Sequence, residues 1–509
     1  MTAATGPAYV PASRILGEVL ERAADAEQWE RFERQLRSAG YCRRPVRLSG
    51  QVDAIDLATG EVRTTYSTAP EPDETLLKCC GNRREAVCPS CAATYRGDAF
   101  QLVVAGLRGG KGVPETVIEH PTIFLTLTAP SFGLVHSRRV TAGGEARHCR
   151  PRRHGEVCRH GVRLSCGEIH ADDDPRLGEP LCPDCFDYEH AVLWNAMAPE
   201  LWRRTAIQIP RELARLAGIS QRQLRRRVRV SYVKVAEYQR RGALHFHALI
   251  RLDAAPAPHS AGDPEAPPGE FTFELLVQAV HAAVEHVAVS SPAPGDQDGR
   301  TGAAATPARE LRWGLQTEVR AIQDGGRSAK EALATAGYIA KYATKSTEVV
   351  GGLMHRLEAS DLPNLKVRPH VRRLVECAWR LGGEQHLARL RLRRWAHALG
   401  FRGHCFTKSR RYSTTFTRLR QARHQHVLRR LHGGEPRDPW GRRLSEGASV
   451  EHRHWSFTGK GYRTLGDAWL AESAAARARE RRRVARNELR TASPGAVLGR
   501  HIQHDGRQP

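Results

Sequence analysis

VRVSYVKVAEY (228–238) and LHFHALIRLD (244–253), joined by QRRGA, decide the fold. Both runs read as strands, whose side chains repeat every two residues. In the first, Val230, Tyr232, Lys234 and Ala236 share one face, and Ser231, Val233, Val235 and Glu237 the other. In the second, His245 and His247 fall on one face. The five-residue link contains Gly242 and fits a hairpin loop. A loop symmetric about Arg241 sets Glu237 opposite His245, and directly opposed residues have Cβ atoms roughly 4.5–5.5 Å apart. Two imidazoles and a carboxylate then converge. Such a set leaves coordination positions open on a divalent ion that must also hold a phosphate oxygen. A His-x-His by itself is more often an ordinary strand pair; the opposed glutamate shifts that balance.

The rest of the chain suits a nucleic-acid-binding protein. Its 509 residues imply two or three domains, and 40% apolar residues suffice for a core. The net charge is +24, carried mostly by arginine, which favours phosphate contacts and base stacking. No run of about 18 apolar residues occurs, so no membrane partner is expected. The N-terminus lacks the basic and apolar regions of a secretory signal, so the expected location is cytoplasmic. The 12 cysteines then point to metal rather than disulfides.

Along the chain, residues 1–75 form a helical lead-in ending in a short β-like stretch, and 76–120 a first cysteine-rich segment. A catalytic domain is expected over 121–350, with a cysteine-rich insertion at about 145–190 and flexible Pro/Ala/Gly-rich loops at 254–269 and 290–308. It opens on PTIFLTLTAPS (121–131), a β-rich run. It also holds a helix over 273–289, a strand over 311–322 and a helix over about 329–345. Residues 351–509 form a basic, mostly helical C-terminal region suited to binding DNA backbone, ending in AESAAARARERRRVARNELR. Tyr412 and Phe416, interleaved with arginines, add a capacity for single-strand stacking. Residues 213–228 carry a helix-turn-helix pattern, yet they run straight into the first hairpin strand and read better as a crossover helix.

GYIAKYATKST sets Tyr338 and Tyr342 four residues apart, on one face of a helix. Lys341 and Lys345 each follow a tyrosine by three residues and would favour phenolate character. A tyrosine stripe in an amphipathic helix is the bland alternative. The knuckles CPSC (88–91) and CPDC (182–185) suit structural Zn²⁺. Cys88 and Cys91 pair with Cys79 and Cys80, or with Cys79 and Cys42. Cys182 and Cys185 pair with Cys158 and Cys166, with Cys149, His160 and His170 as substitutes.

FLTLT (124–128), HFHALI (245–250) and YIAKYATK (338–345) stand in that order. Together they resemble the signature of HUH-type rolling-circle replication initiators, and in particular the RepSA-type initiators of Streptomyces plasmids and integrative conjugative elements. The likeness runs from about Cys79 to Glu348 and continues into the Arg-rich region. It implies an α+β fold with an antiparallel, RRM-like HUH endonuclease core. It further implies Mg²⁺ or Mn²⁺ on His245, His247 and Glu237, and nicking by Tyr342 to give a 5′-phosphotyrosine at a double-strand origin. Tyr338 would complete the cycle by a second strand transfer; which tyrosine acts first stays open, with Tyr342 preferred. Compact viral initiators lack the long cysteine-bearing segment between the first two motifs. No G-x-x-x-x-G-K-[ST] occurs, so a host helicase, with a DNA polymerase, is the expected partner. A conjugative relaxase or single-strand transposase uses the same chemistry, but relaxases usually place the tyrosine near the N-terminus. A zinc-stabilised, non-catalytic DNA-binding regulator is the rival from another class.

Overall fold

The computed structural model describes residues 12–57, 59–141, 143–151, 156–256, 263–294, 306–322, 328–345, 350, 353, 355–432 and 449–491. Parts of the two expected loops (257–262 and 295–305), and 433–448 and 492–509 of the basic region, lie outside the described residues. Two compact units form. One gathers the chain up to Asp98 with the chain from Phe416; the other is Ala99–Thr415. Boundaries drawn at about 75, 120 and 350 therefore do not coincide with these units.

The first unit opens with α1 (Ala12–Ala23) and α2 (Ala26–Ser38). Asp25 caps α2, its carboxylate accepting the Glu27 and Gln28 N–H groups and so satisfying two otherwise orphaned donors. Strands β1 (Val46–Asp56), β2 (Val62–Ser67) and β3 (Leu76–Lys78) follow. Helix α3 (Pro89–Arg108) carries the chain across the division.

The second unit is built on β4 (Thr122–Thr128). A cysteine-rich insertion follows, with the short hairpin β5 (Arg139–Val140) and β6 (Ala146–Arg147). Helix α4 (Tyr188–Leu216) is capped by Asp187, and α5 (Gln221–Arg227) by a reciprocal Ser220–Gln223 box. Next come β7 (Val228–Tyr238), β8 (Leu244–Ala254), α6 (Phe273–His286), β9 (Ala288–Ser290), β10 (Glu310–Arg312) and β11 (Thr317–Ala321). Helices α7 (Ser328–Tyr342), α8 (Pro369–Leu381) and α9 (Leu392–Trp395) precede β12 (Phe406–Lys408). The sheet order is β11-β4-β8-β7-β12, with every pairing antiparallel.

The two faces of this sheet have different tasks. Ile123, Leu125 and Leu127 of β4 join Leu244, Phe246, Ala248 and Ile250 of β8 in the apolar core. There α4 covers them, and Trp202 stacks on Phe246 with ring centroids 6.3 Å apart. The alternate residues, Phe124 and Thr126 of β4 and His245 and His247 of β8, occupy the opposite face, because the period is two. Alternation in FLTLT thus serves both layers at once.

Three expectations need correction. Residues 311–322 are two strands, because Gly314 passes so close to Ala129 that a Cβ there would lie 2.7 Å from its carbonyl oxygen; β10 pairs with β9 and β11 with β4. Tyr412 is fully buried and fills the space left by the absent side chain of Gly106, so it cannot stack on a base. Phe416 stacks instead on Tyr95, centroids 5.1 Å apart. The C-terminal region is mostly helical among the described residues, as expected, and it also contributes strands. Besides α10 (Phe416–His432) and α11 (Leu465–Thr491), it supplies β12 to the five-stranded sheet and β13 (Ser449–Lys460) to the first unit, where β13 pairs along all of β1. The crossover reading of 213–228 fits, since α5 is seven residues long and runs directly into β7.

Candidate active site

The hairpin register sets Glu237 opposite His245 and Val235 opposite His247. Glu237 Oε2 lies 3.1 Å from His245 Nε2 and 3.5 Å from His247 Nε2. All three ligand atoms fall within 4.8 Å of one another. Burial pushes the Glu237 carboxyl up, but hydrogen bonds from both imidazoles outweigh it and hold the group at about 2. An ionised carboxylate beside two imidazoles is a donor set that suits a hard or borderline divalent cation.

β4 orients the second histidine. Thr126, directly paired with His247, sets its Oγ1 3.1 Å from His247 Nδ1, fixing the ring with Nε2 toward Glu237. Phe124 stacks on the same ring, centroids 5.6 Å apart. Sequence reasoning found the FLTLT strand but missed Thr126; its signal is the threonine in phase with the ligand face. Arg320 of β11, paired with Phe124, was also missed. Its guanidinium lies over the Phe124 ring at 5.0 Å, and its charge opposes the other influences on Tyr338.

Helix α7 brings both tyrosines onto His247. The Tyr338 hydroxyl is 3.0 Å from His247 Nε2, and the Tyr342 ring is 6.0 Å from the imidazole. The two tyrosine rings are 4.7 Å apart. Tyr342 is the last residue of α7, so Lys345 lies beyond the helix rather than on it. Lys341 and Lys345 place their Nζ atoms 5.5 and 5.1 Å from the Tyr342 ring centroid, over the ring. They do not bring the phenol toward ionisation. Burial and the Glu237 charge push Tyr342 up to about 12, and burial first, then the neighbouring Tyr342 and Glu237, push Tyr338 higher still. An open cleft of about 740 Å³ leads to this face, with Thr128, Glu237, His245, Lys345, Arg138 and Arg240 among its lining residues.

The cysteines assemble differently from the expected sets. Cys80, Cys88 and Cys91 join Cys42, and Cys79 is left exposed outside the group. Sulfur separations of 3.6–3.7 Å match the ~3.7 Å edge of a tetrahedron with ~2.3 Å zinc–sulfur bonds. Cys158, Cys182 and Cys185 take His160 as fourth member, and Cys166 belongs to a further group with His136, Cys149 and His170. The chain thus brings three cysteine-bearing groups into ligand geometry where two were expected. His136, a single histidine in no motif, was not anticipated.

An antiparallel sheet bearing a His–His–Glu face under a tyrosine helix defines a candidate metal-assisted nucleophilic site. The chain matches the family model described as RepSA, replication initiator protein, pSAM2, over residues 28–476. It is 42% identical over 486 residues, 93% of this chain and 96% of the relative, to a replication initiator protein of Streptomyces ambofaciens. The chain belongs to the RepSA replication initiator family. No solved structure matches it. No helix among the described residues is long and apolar enough to cross a membrane.

Proposed function

We propose that this initiator nicks and rejoins one DNA strand at its replication origin, in the manner of HUH endonucleases that start rolling-circle replication. The observation that carries the reading is the convergence of Glu237, His245 and His247 within ligand distance directly beneath Tyr338 and Tyr342. Mg²⁺ or Mn²⁺ held by these three residues would polarise a non-bridging oxygen of the scissile phosphate.

Tyr342 Oη attacks phosphorus as its proton passes to solvent, the bond to the 3′ oxygen breaks, and that oxygen takes a proton from solvent to leave as the 3′-hydroxyl. The 5′-phosphotyrosine keeps the bond energy, so rejoining needs no ATP. Tyr342 acts first, since both Lys341 and Lys345 lie over its ring. Tyr338, one helical turn away, performs the second transfer. Lys345, lining the cleft, and Lys341 offset phosphate charge. Thr126 holds His247 in its ligand tautomer. Cys42, Cys80, Cys88 and Cys91, and Cys158, His160, Cys182 and Cys185, hold structural zinc. A host helicase and DNA polymerase extend the product in the cytoplasm.

The test is to incubate the chain with supercoiled origin plasmid and Mn²⁺ or Mg²⁺ and to look for SDS-stable protein on a 5′ end. DNA bound without nicking, whatever the divalent metal, would instead identify a non-catalytic regulator.

A further inference from the structure

We propose that His136, Cys149, Cys166 and His170 form a second zinc site within the insertion, and that its metal braces the cleft wall facing Glu237 and His245. The four ligand atoms lie within 4.8 Å of one another. His136 Nδ1 is 3.2 Å from His170 Nε2, and Cys166 Sγ is 3.5 Å from that same nitrogen. Tetrahedral zinc with bonds of ~2.05 Å to nitrogen and ~2.3 Å to sulfur requires edges of ~3.3 Å and ~3.5 Å. His170 Nδ1 lies 2.7 Å from Asp174 Oδ2, the carboxylate partner that aims Nε2 at a metal. The Ser137 N–H donates to Cys149 Sγ at 3.2 Å.

This part of the chain has little else to hold it. Between Leu134 and Leu181 the buried apolar side chains are Val135, Val140, Leu177 and Pro180 besides the two cysteines, among those described. Such a segment gains its order from a metal.

The site is tied to the hairpin by direct contacts. The His136 N–H donates to Glu179 O at 2.9 Å, and the Gly178 N–H returns to His136 O at 2.9 Å. Gly178 lies so close to the Arg240 backbone that a Cβ there would collide with it. The Arg240 guanidinium donates to Asp172 O, and Arg138 pairs with the Asp172 carboxylate at 3.1 Å. Arg240 belongs to the turn that sets Glu237 opposite His245. His136, Arg138 and Gly178 line the same cleft as Glu237 and His245. Metal at His136 therefore stiffens a strap that presses on that turn.

Metal content and amide exchange of the full-length chain test this without any nicking assay, so the result stands apart from the proposed reaction. Wild type should carry one zinc for each of the three cysteine-bearing groups. His170→Gln should lose one, Cys158→Ser a different one, and the double variant two. His170→Cys, which restores a ligand, should keep the full complement. Exchange at 239–243 should quicken in His170→Gln and stay at the wild-type rate in His170→Cys. Full zinc in His170→Gln overturns the site, and unchanged exchange at the turn overturns the brace. Should His170→Gln not fold, a folded His170→Cys chain that lacks one zinc overturns the proposal equally.

Discussion

Glu237 and His245 are cross-strand partners, and their Oε2 and Nε2 atoms are 3.1 Å apart. The contact is a direct product of loop length, since a one-residue slip would turn Glu237 to the opposite face. If this pair holds the nicking metal with His247, Glu237→Ala should weaken Mn²⁺ binding and slow nicking by about 100-fold or more. Titrating Mn²⁺ while following both quantities checks this. Wild-type metal affinity in the variant would move the metal elsewhere.

Thr126 touches no substrate in this scheme but orients His247 at 3.1 Å. Thr126→Val preserves shape and removes the acceptor. Metal affinity should fall roughly 10–100-fold, the usual cost of losing a ligand's orienting partner. The chain should still fold, because the exchange keeps strand propensity, at a cost of about 1–3 kcal/mol for the lost buried hydrogen bond. Recovery of nicking at high Mn²⁺ distinguishes orientation from a direct catalytic role.

Tyr342→Phe should abolish the 5′ adduct, whereas Tyr338→Phe should form it and fail to complete the second transfer. Mapping the DNA-linked peptide decides between them. An adduct on Tyr338 in the wild-type protein would reverse the order, for which the 3.0 Å contact with His247 offers a structural route.

The hairpin, its register and the core strand β4 were legible because a period of two and a short symmetric loop are local properties. The partners of distant segments were not. β13 reads as EHRHWSF, with charged and polar residues on both faces, and its partner β1 lies about 400 residues away in sequence. Tyr412 looked like a stacking residue because its pocket is made by Gly106, whose missing side chain leaves no signal. The knuckles were visible, but only the fold selects Cys42 over Cys79 and brings the lone His136 to Cys149, Cys166 and His170.

That selection is testable. Cys42→Ser should remove one zinc and destabilise the first unit, because Cys42 is buried and 3.6–3.7 Å from Cys88 and Cys91. Cys79→Ser should keep its zinc and its stability, since Cys79 is exposed outside the group. Zinc content together with thermal unfolding reads both. A Cys79→Ser chain that loses metal would restore the expectation drawn from sequence spacing.

His370 links pH to the same hairpin. It is buried on α8, its Nε2–H donates to Arg241 O at 2.9 Å, and its Nδ1 lies 3.2 Å from the Tyr188 hydroxyl. Burial pushes its pKa down to about 4 from an ordinary 6.5. The folded chain then excludes a proton that the unfolded chain accepts, so this contribution is complete above about pH 6.5 and declines as pH falls toward 4. Between pH 7 and pH 5 the loss should be about 2 kcal/mol. His370→Gln keeps a donor for Arg241 O and removes the titration. Its urea-unfolding free energy should therefore fall less steeply over that interval than the wild type's, by about the same 2 kcal/mol. Parallel pH profiles would show that His370 does not hold the turn as a neutral imidazole, and the link from α8 to the Glu237–His245 register would have to run through other contacts.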